Sequence, residues 1–147
     1  MFSAVLLLSF CCVYAFNVSD DSGDRIIGTY QIENKGETTR VKFTKAPSGT
    51  YTAQVIWISY PFDKEGNVRL DEKNPVKELR SLRYDQIVLI EGLSYDPEKR
   101  QWADAKIYDP SRGIKVNVVC SLTPDGKLRV RGSFLGIAYS VYWERID

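Results

Sequence analysis

The chain has 147 residues, of which 44% are apolar and 27% are charged, a composition typical of one globular domain. Its 20 basic and 19 acidic residues leave a net charge of +1, so we expect no nucleic-acid partner. The absence of histidine excludes a Ser-His-Asp triad and an imidazole zinc site. We expect neither a metal nor a cofactor.

The N-terminal segment predicts export. An apolar run from Ala4 to Ala15 is shorter than the ~20 residues of a membrane span and ends in small residues at the −3 and −1 positions of a signal peptidase site. Lipid anchoring through Cys11 or Cys12 is the less favoured alternative, because neither follows the small residue that acylation needs. We expect an exported protein, periplasmic or extracellular, without a transmembrane span. The predicted divisions are a signal peptide at 1–15, a flexible mature N-terminus at 16–24 and a single β-barrel domain at 25–147.

The rest of the chain alternates short strand patterns with turns. Val41 and Phe43, for example, alternate with the polar residues around them, which is the period of a half-buried strand. The segment from Thr50 to Tyr60 is apolar on both faces in its middle, so we expect its outer side to be covered. Cys120 is expected to be a buried strand residue. Strands are predicted at 25–33, 38–45, 50–60, 86–92, 105–108, 114–122, 127–134 and 137–146.

One long irregular segment, from Phe62 to Gln86, interrupts this pattern between the third and fourth strands. Within it, Asn74 is predicted to cap a short helix that has Pro75 at its first position and runs to Arg80. A loop of this length in a compact domain is usually a lid or a plug. About eight sequential antiparallel strands indicate an up-and-down barrel or a sandwich, and eight strands just close a barrel with room for side chains or one small ligand.

Several motifs occur in a characteristic order. They are Gly28-x-Tyr30, Ile107-Tyr108-Asp109-Pro110-x-x-Gly113, Leu128-x-Val130-Arg131-Gly132 and Trp143-Glu144-Arg145. In this order they resemble the exported bacterial family called domain of unknown function 2147. The Gly-x-aromatic of the first strand and the Arg ending the last strand are also similar to calycin barrels, including lipocalins. This resemblance implies an all-β, lipocalin-like barrel in which Gly28 and Tyr30 meet Arg145.

The turn from Asp109 to Gly113 has a structural and a chemical interpretation. Asp109 can accept backbone N–H bonds two residues on, and Pro110 presets the following φ. The alternative is a catalytic carboxylate with Asp104 as its nearest acidic partner. No nucleophile elbow or phosphate-binding loop is present, so we assign no catalytic residue and lean against an enzyme.

Aromatic side chains recur with strand spacing and suit either a core or a ligand cavity. Trp57 is predicted to share a face with Tyr51, Trp102 with Tyr108, and Tyr139 with Trp143.

Arg129 and Arg131 alternate with Leu128 and Val130. They form a solvated face if the apolar pair points inward, and an anion-binding pocket in the opposite register. Gly132 allows the strand to bend directly after Arg131. The candidate ligand-binding residues are Arg131, Trp102, Tyr108, Trp57, Tyr139 and Trp143.

The first functional hypothesis is an exported barrel that binds a small apolar or amphiphilic ligand in the cell envelope, with a cavity of about 300 Å³ or more. The second is a filled barrel that acts as an envelope protein–protein interaction module, with an exposed apolar patch on the long loop or on the face of Ile56, Ile58 and Tyr60. The third and least favoured is a hydrolase that uses Asp104 or Asp109. The sequence leaves the oligomeric state open.

Overall fold

The computed structural model describes residues 22–147, which form a closed barrel of eight antiparallel strands paired in chain order. This confirms the predicted all-β up-and-down barrel, while the predicted signal peptide lies outside the described residues. No helix within residues 22–147 has the length and apolarity needed to cross a bilayer. The strands are β1 (Gly28–Asn34), β2 (Glu37–Lys45), β3 (Tyr51–Ile58), β4 (Val88–Asp96), β5 (Gln101–Asp109), β6 (Ile114–Leu122), β7 (Leu128–Phe134) and β8 (Ile137–Arg145).

One end of the barrel is closed by a 3-10 turn, Gly23–Ile26, which precedes β1. Ile26 is fully buried, and its carbonyl accepts a hydrogen bond from the Tyr30 hydroxyl at 3.0 Å. The Trp102 indole N–H donates to the Gly23 carbonyl at 3.0 Å. These contacts tie Gly23, which lies before the predicted boundary at residue 25, to the barrel.

The half of the barrel next to this turn is filled by large side chains. Tyr30 and Phe43 pack edge to face with ring centroids 5.5 Å apart, and Trp143 lies 6.2 Å from Phe43. Trp102 is fully buried, as is Cys120, as predicted. Burial of each large apolar side chain stabilises the folded state by about 1.5–3 kcal/mol. This half of the barrel is therefore a packed core, with its interior filled by side chains.

Arg145 closes the barrel where β8 meets β1, as the resemblance to calycin barrels implies. Its guanidinium lies 5.6 Å from the centroid of the Tyr30 ring and donates to the carbonyls of Arg25, at 2.8 Å, and of Ile27. A Cβ at Gly28 would lie 2.7 Å from the Arg145 Nη2, so glycine leaves the space that the guanidinium occupies. The signature residues Gly28, Tyr30 and Arg145 thus form one contact.

The long loop between β3 and β4 lies against the β5–β6 turn. Lys73 Nζ donates to the Ser111 carbonyl at 2.7 Å, and a Cβ at Gly113 would collide with the Lys73 carbonyl. Within the loop the buried Asp71 accepts hydrogen bonds from Tyr108 Oη and Asn74 Nδ2, both at 2.7 Å. These contacts fix the loop across the outside of β5.

The loop departs from two predictions. Asn74 Oδ1 accepts the Val76 N–H and its Nδ2 donates to Asp71, but the helix that follows is a single 3-10 turn, Lys77–Leu79, which is shorter than predicted. The outer side of β3 is not covered as expected, since Ile56 and Trp57 remain exposed.

Two β-bulges correct the predicted faces. In β3, Val41 pairs with Val55 but Arg40 pairs with Trp57, so one extra residue turns Trp57 outward and away from the face of Tyr51. Arg40 stacks on the Trp57 ring at 4.7 Å. A one-residue insertion has this effect because side chains alternate with a period of two.

The second bulge lies in β5 between Trp102 and Ala105, and Asp104 adopts a positive φ of 63° there. Trp102 pairs with the buried Cys120, whereas Tyr108 pairs with the exposed Lys115. Trp102 therefore points into the barrel and Tyr108 points outward, where the long loop buries it. The prediction that the two share a face was wrong for this reason.

Candidate functional site

The open end of the barrel is bounded by the β1–β2 turn, the long loop, the β5–β6 turn and the β7–β8 hairpin. The long loop reaches β2 through an ion pair between Arg69 and Glu37 at 2.9 Å, and it reaches the β5–β6 turn through Lys73. The long loop thus bridges the mouth from β2 to the β5–β6 turn. The β7–β8 hairpin borders the side that remains open.

The seam between β1 and β8 is short on this open side. β1 and β8 pair at Tyr30–Arg145 and Gln31–Glu144, whereas β7 and β8 pair over seven positions, as far as Phe134–Ile137. The first half of β8 therefore extends beyond its pairing with β1. Its inward-facing residues Tyr139 and Val141 are 55% and 40% exposed, although they belong to the same face as the buried Trp143.

A cavity of about 250 Å³ lies beside this exposed stretch of β8. Four of its six lining side chains are apolar or aromatic, which suits an apolar part of a ligand. A Cβ at Gly132 would lie 3.3 Å from Val116 Cγ2 and 3.8 Å from the Tyr139 ring, so glycine keeps this space open. The lining residues are Arg112, Val116, Ser133, Phe134, Ile137 and Tyr139.

Arg112 places one guanidinium at the rim of the cavity. Its Nε donates to Asp109 Oδ2 at 2.7 Å. This hydrogen bond, with the charge of Asp109, raises the pKa of Arg112, and Tyr139 adds a smaller effect in the same direction. The cavity therefore has a permanent cation at its edge, partly balanced by a carboxylate.

Asp109 has the structural role that the turn pattern predicts. Its Oδ1 accepts the Ser111 N–H at 3.0 Å and the Ser111 hydroxyl at 2.6 Å, while its carbonyl accepts the Gly113 N–H at 2.8 Å. Burial by itself would raise the pKa of Asp109, but the hydrogen bonds from Ser111 and Arg112 outweigh it and hold the pKa below its usual value. Both carboxylate oxygens are thus engaged in holding the turn. Asp104, the proposed acidic partner, is exposed at the β5 bulge.

Among the aromatic candidates, Tyr139 lines the cavity. Trp102 and Trp143 are buried in the closed half of the barrel, Trp57 lies on the outer wall, and Tyr108 lies beneath the long loop. The structure does not bring these residues together, and their role in ligand binding stays a prediction.

Most of the cavity wall, including Val116, Phe134 and Ile137, was not predicted from the sequence. One signal was available. Phe134, Leu135 and Ile137 surround a tight turn at Gly136, where polar residues are usual, and apolar residues at such a place indicate a contact surface.

Arg131 lies on the outer wall. Leu128 and Val130 are buried and Arg129 and Arg131 are exposed, so of the two registers considered for β7 the structure shows the one with a solvated arginine face. The arginines border an outer depression of about 420 Å³, which is also lined by Gln101, Val119 and Ser121. Arg131 thus faces a different surface from the cavity.

Comparison with known proteins agrees with this fold. A solved Helicobacter pylori protein described as belonging to the lipocalin family superposes with a TM-score of 0.66 at 23% sequence identity, covering 83% of each chain. At this identity the likeness shows the fold alone. No curated protein matches the chain. Residues 28–145 match the family described as an uncharacterized protein conserved in bacteria, domain of unknown function 2147. The chain, a lipocalin-like barrel whose first and last strands meet at Gly28, Tyr30 and Arg145, belongs to this family.

Proposed function

We propose that the protein binds a small apolar or amphiphilic ligand at the open end of its barrel, and that it does so in the cell envelope after export. The observation that carries the proposal is the cavity of about 250 Å³, which has apolar walls and opens beside inward-facing side chains of β8 that the barrel leaves exposed. Inward-facing apolar residues that remain accessible are what a binding cavity requires.

The size of the cavity limits the ligand. Its volume is smaller than the predicted ~300 Å³ or more, the size at which small-molecule sites usually begin, and the closed half of the barrel is filled. A ligand would therefore be small, or it would hold its apolar part in the cavity and leave its polar end at the mouth. An amphiphile has this division of polarity.

The rim also favours a polar end that accepts hydrogen bonds. Arg112 commits its Nε to Asp109 and also hydrogen-bonds Tyr139, and its guanidinium has further N–H groups that can donate to a ligand. Because Asp109 balances part of the charge, we expect a carboxylate to bind only a few-fold more tightly than a hydroxyl of the same chain length.

The test is calorimetric or NMR titration with decanol below its solubility limit and with decanoate below its critical micelle concentration. Ile137→Asp should weaken binding of either probe at least about tenfold, because it places a carboxylate in the apolar wall of the cavity. Ile56→Asp is the matched control, since it makes the same change at an exposed strand position on the outer wall of β3. The proposal fails if the parent protein binds neither probe, or if both variants bind equally well.

Export is tested separately by mass spectrometry of the protein recovered from the envelope and the growth medium. We expect a mature chain that begins at Phe16. A chain that begins at Cys11 or Cys12 and carries a lipid mass would instead support anchoring.

A role as a protein interaction module has one observation in its favour. Tyr60 and Phe62, at the start of the long loop, are exposed, as is Ile56, whereas Ile58 is buried. An envelope protein bound through this patch should be recovered by amine crosslinking through the nearby exposed Lys64 in the parent protein and lost in Phe62→Ser, with decanol binding unchanged.

A further inference from the structure

The tip of the β7–β8 hairpin is the most exposed apolar feature of the described chain. Phe134, Leu135 and Ile137 are 51%, 85% and 75% exposed. The twelve residues from Gly132 to Trp143 carry no charged side chain. Leu135 does not line the cavity, so its exposure is not explained by a ligand there.

The turn itself is unfavourable for leucine. Leu135 has a φ of +49°, a conformation that asparagine, aspartate and glycine adopt more readily. Neither the turn geometry nor internal packing therefore accounts for an apolar side chain at this position. An external apolar contact does account for it.

Two cations lie farther down the outer face of the same hairpin. Arg131 pairs with Ser140, and Arg129 pairs with the 54% exposed Tyr142. Arg129 Nε donates to the neutral Ser140 hydroxyl at 3.1 Å, a contact that leaves its charge uncompensated. From the tip downward, the hairpin therefore carries apolar side chains, then Arg131, and then Arg129 beside the exposed Tyr142, with both arginines bordering the outer depression.

We propose that this hairpin docks on an anionic lipid surface, with its tip among the acyl chains and Arg129 and Arg131 at the headgroup phosphates. The spacing fits. Arg131 lies three residues below Phe134, or about 10 Å at ~3.3 Å per residue, and surface-bound apolar faces reach about 5–10 Å into a bilayer.

A lipid surface explains this shape better than a second copy of the chain. The tip is a convex point of three side chains on a hairpin that extends beyond its pairing with β1. A stable dimer needs about 800 Å² of buried surface per partner, which such a point does not offer. A bilayer, by contrast, accepts a point insertion.

Docking in this way would bring the mouth of the barrel to the membrane, because Phe134 and Ile137 belong to both the tip and the cavity wall. The inference does not depend on the proposed ligand. The hairpin can bind a bilayer whether or not the cavity takes up an amphiphile.

The test is flotation of the mature protein, as purified after export, with two kinds of vesicle. One is phosphatidylcholine alone and the other contains roughly one quarter phosphatidylglycerol. We expect binding to the anionic vesicles. Leu135→Asn should lower the partition coefficient about tenfold while preserving the fold, because asparagine suits the positive φ.

Arg131→Gln should lower partition into the anionic vesicles about fivefold and change binding to neutral vesicles little. The matched controls are Val88→Asn and Lys106→Gln, which make the same changes at exposed positions on β4 and β5 and should bind as the parent does.

Absence of flotation, or equal partition of the parent and Leu135→Asn, would overturn the inference. A dimer in solution that Leu135→Asn dissociates, with no vesicle binding, would overturn it in favour of self-association. Decanol titration of Leu135→Asn keeps the two proposals apart. If Leu135→Asn no longer floats with vesicles but still binds decanol, the membrane-binding surface and the ligand site are separate.

Discussion

Arg145 offers the most direct test of how the barrel is closed. Replacing it with methionine keeps an unbranched side chain over Tyr30 but removes every guanidinium contact. The lost hydrogen bonds go to the carbonyls of Arg25 (2.8 Å) and Ile27 and to the main-chain oxygen of Asp147 (3.0 Å). The hydrogen bond to the Tyr30 hydroxyl at 3.3 Å and the contact with the Tyr30 ring at 5.6 Å are lost as well. The change acts where the N-terminal turn, β1 and β8 join.

The magnitude follows from these contacts. A charged hydrogen bond contributes about 1.5–3 kcal/mol when buried, but the Arg145 side chain is 35% exposed, so we count about 1 kcal/mol for each of the better ones. A partly exposed cation–π contact adds about 0.5–1 kcal/mol. Arg145→Met should therefore lower the free energy of unfolding by about 3 kcal/mol, or the melting temperature by roughly 10 °C for a domain of this size.

Urea unfolding followed by circular dichroism measures this loss. Arg145→Lys should recover less than half of it, because an ammonium cannot reach several carbonyls at once in the geometry of the guanidinium fork. Arg131→Met, at an exposed site on the outer wall, is the control and should change stability by less than about 0.5 kcal/mol. If Arg145→Met matches this control, the closure contact does not stabilise the barrel and our reasoning is wrong.

Two further predictions concern the long loop and the N-terminal turn. Tyr108→Phe removes the hydrogen bond to the buried Asp71 and should cost about 1–3 kcal/mol, seen as faster hydrogen exchange in residues 59–87; unchanged exchange would show that other contacts hold the loop. Hydrogen bonds from Lys45, and then Tyr51, lower the pKa of Asp24. Its stabilising effect should thus be present above the ordinary Asp value of about 3.9 and lost as the pH falls through the lower folded value. The urea midpoints of the parent and Asp24→Asn should converge as the pH falls below about 3.9; a constant gap would contradict the assignment.

Much of the barrel could be predicted because its determinants are local. Alternation such as that of Val41 and Phe43 identifies a strand and its inner face, and the pattern from Asp109 to Gly113 identifies a turn whose hydrogen bonds are made within five residues. The contact between Arg145 and Tyr30, which closes the barrel, joins residues far apart in the chain. It was predicted only through the resemblance to known barrels.

The candidate site was harder to predict because a single extra residue in a strand changes which side chains point into the barrel. One extra residue beside Val55 turned Trp57 to the outer wall, and one beside Asp104 separated the faces of Trp102 and Tyr108. A bulge of this kind leaves no clear trace in the alternation of residue types, yet it reverses every face beyond it.

The amino-acid sequence by itself determined the class of fold, the succession of strands and turns, and the inward direction of Leu128 and Val130, because side-chain alternation and turn chemistry act over a few residues. Only the tertiary structure decided which end of the barrel is filled and where its cavity lies. That cavity exists because β7 and β8 pair beyond the short seam with β1 while the long loop docks on the opposite side of the mouth. Both features depend on strand lengths and contacts between segments far apart in the chain, which no local pattern records.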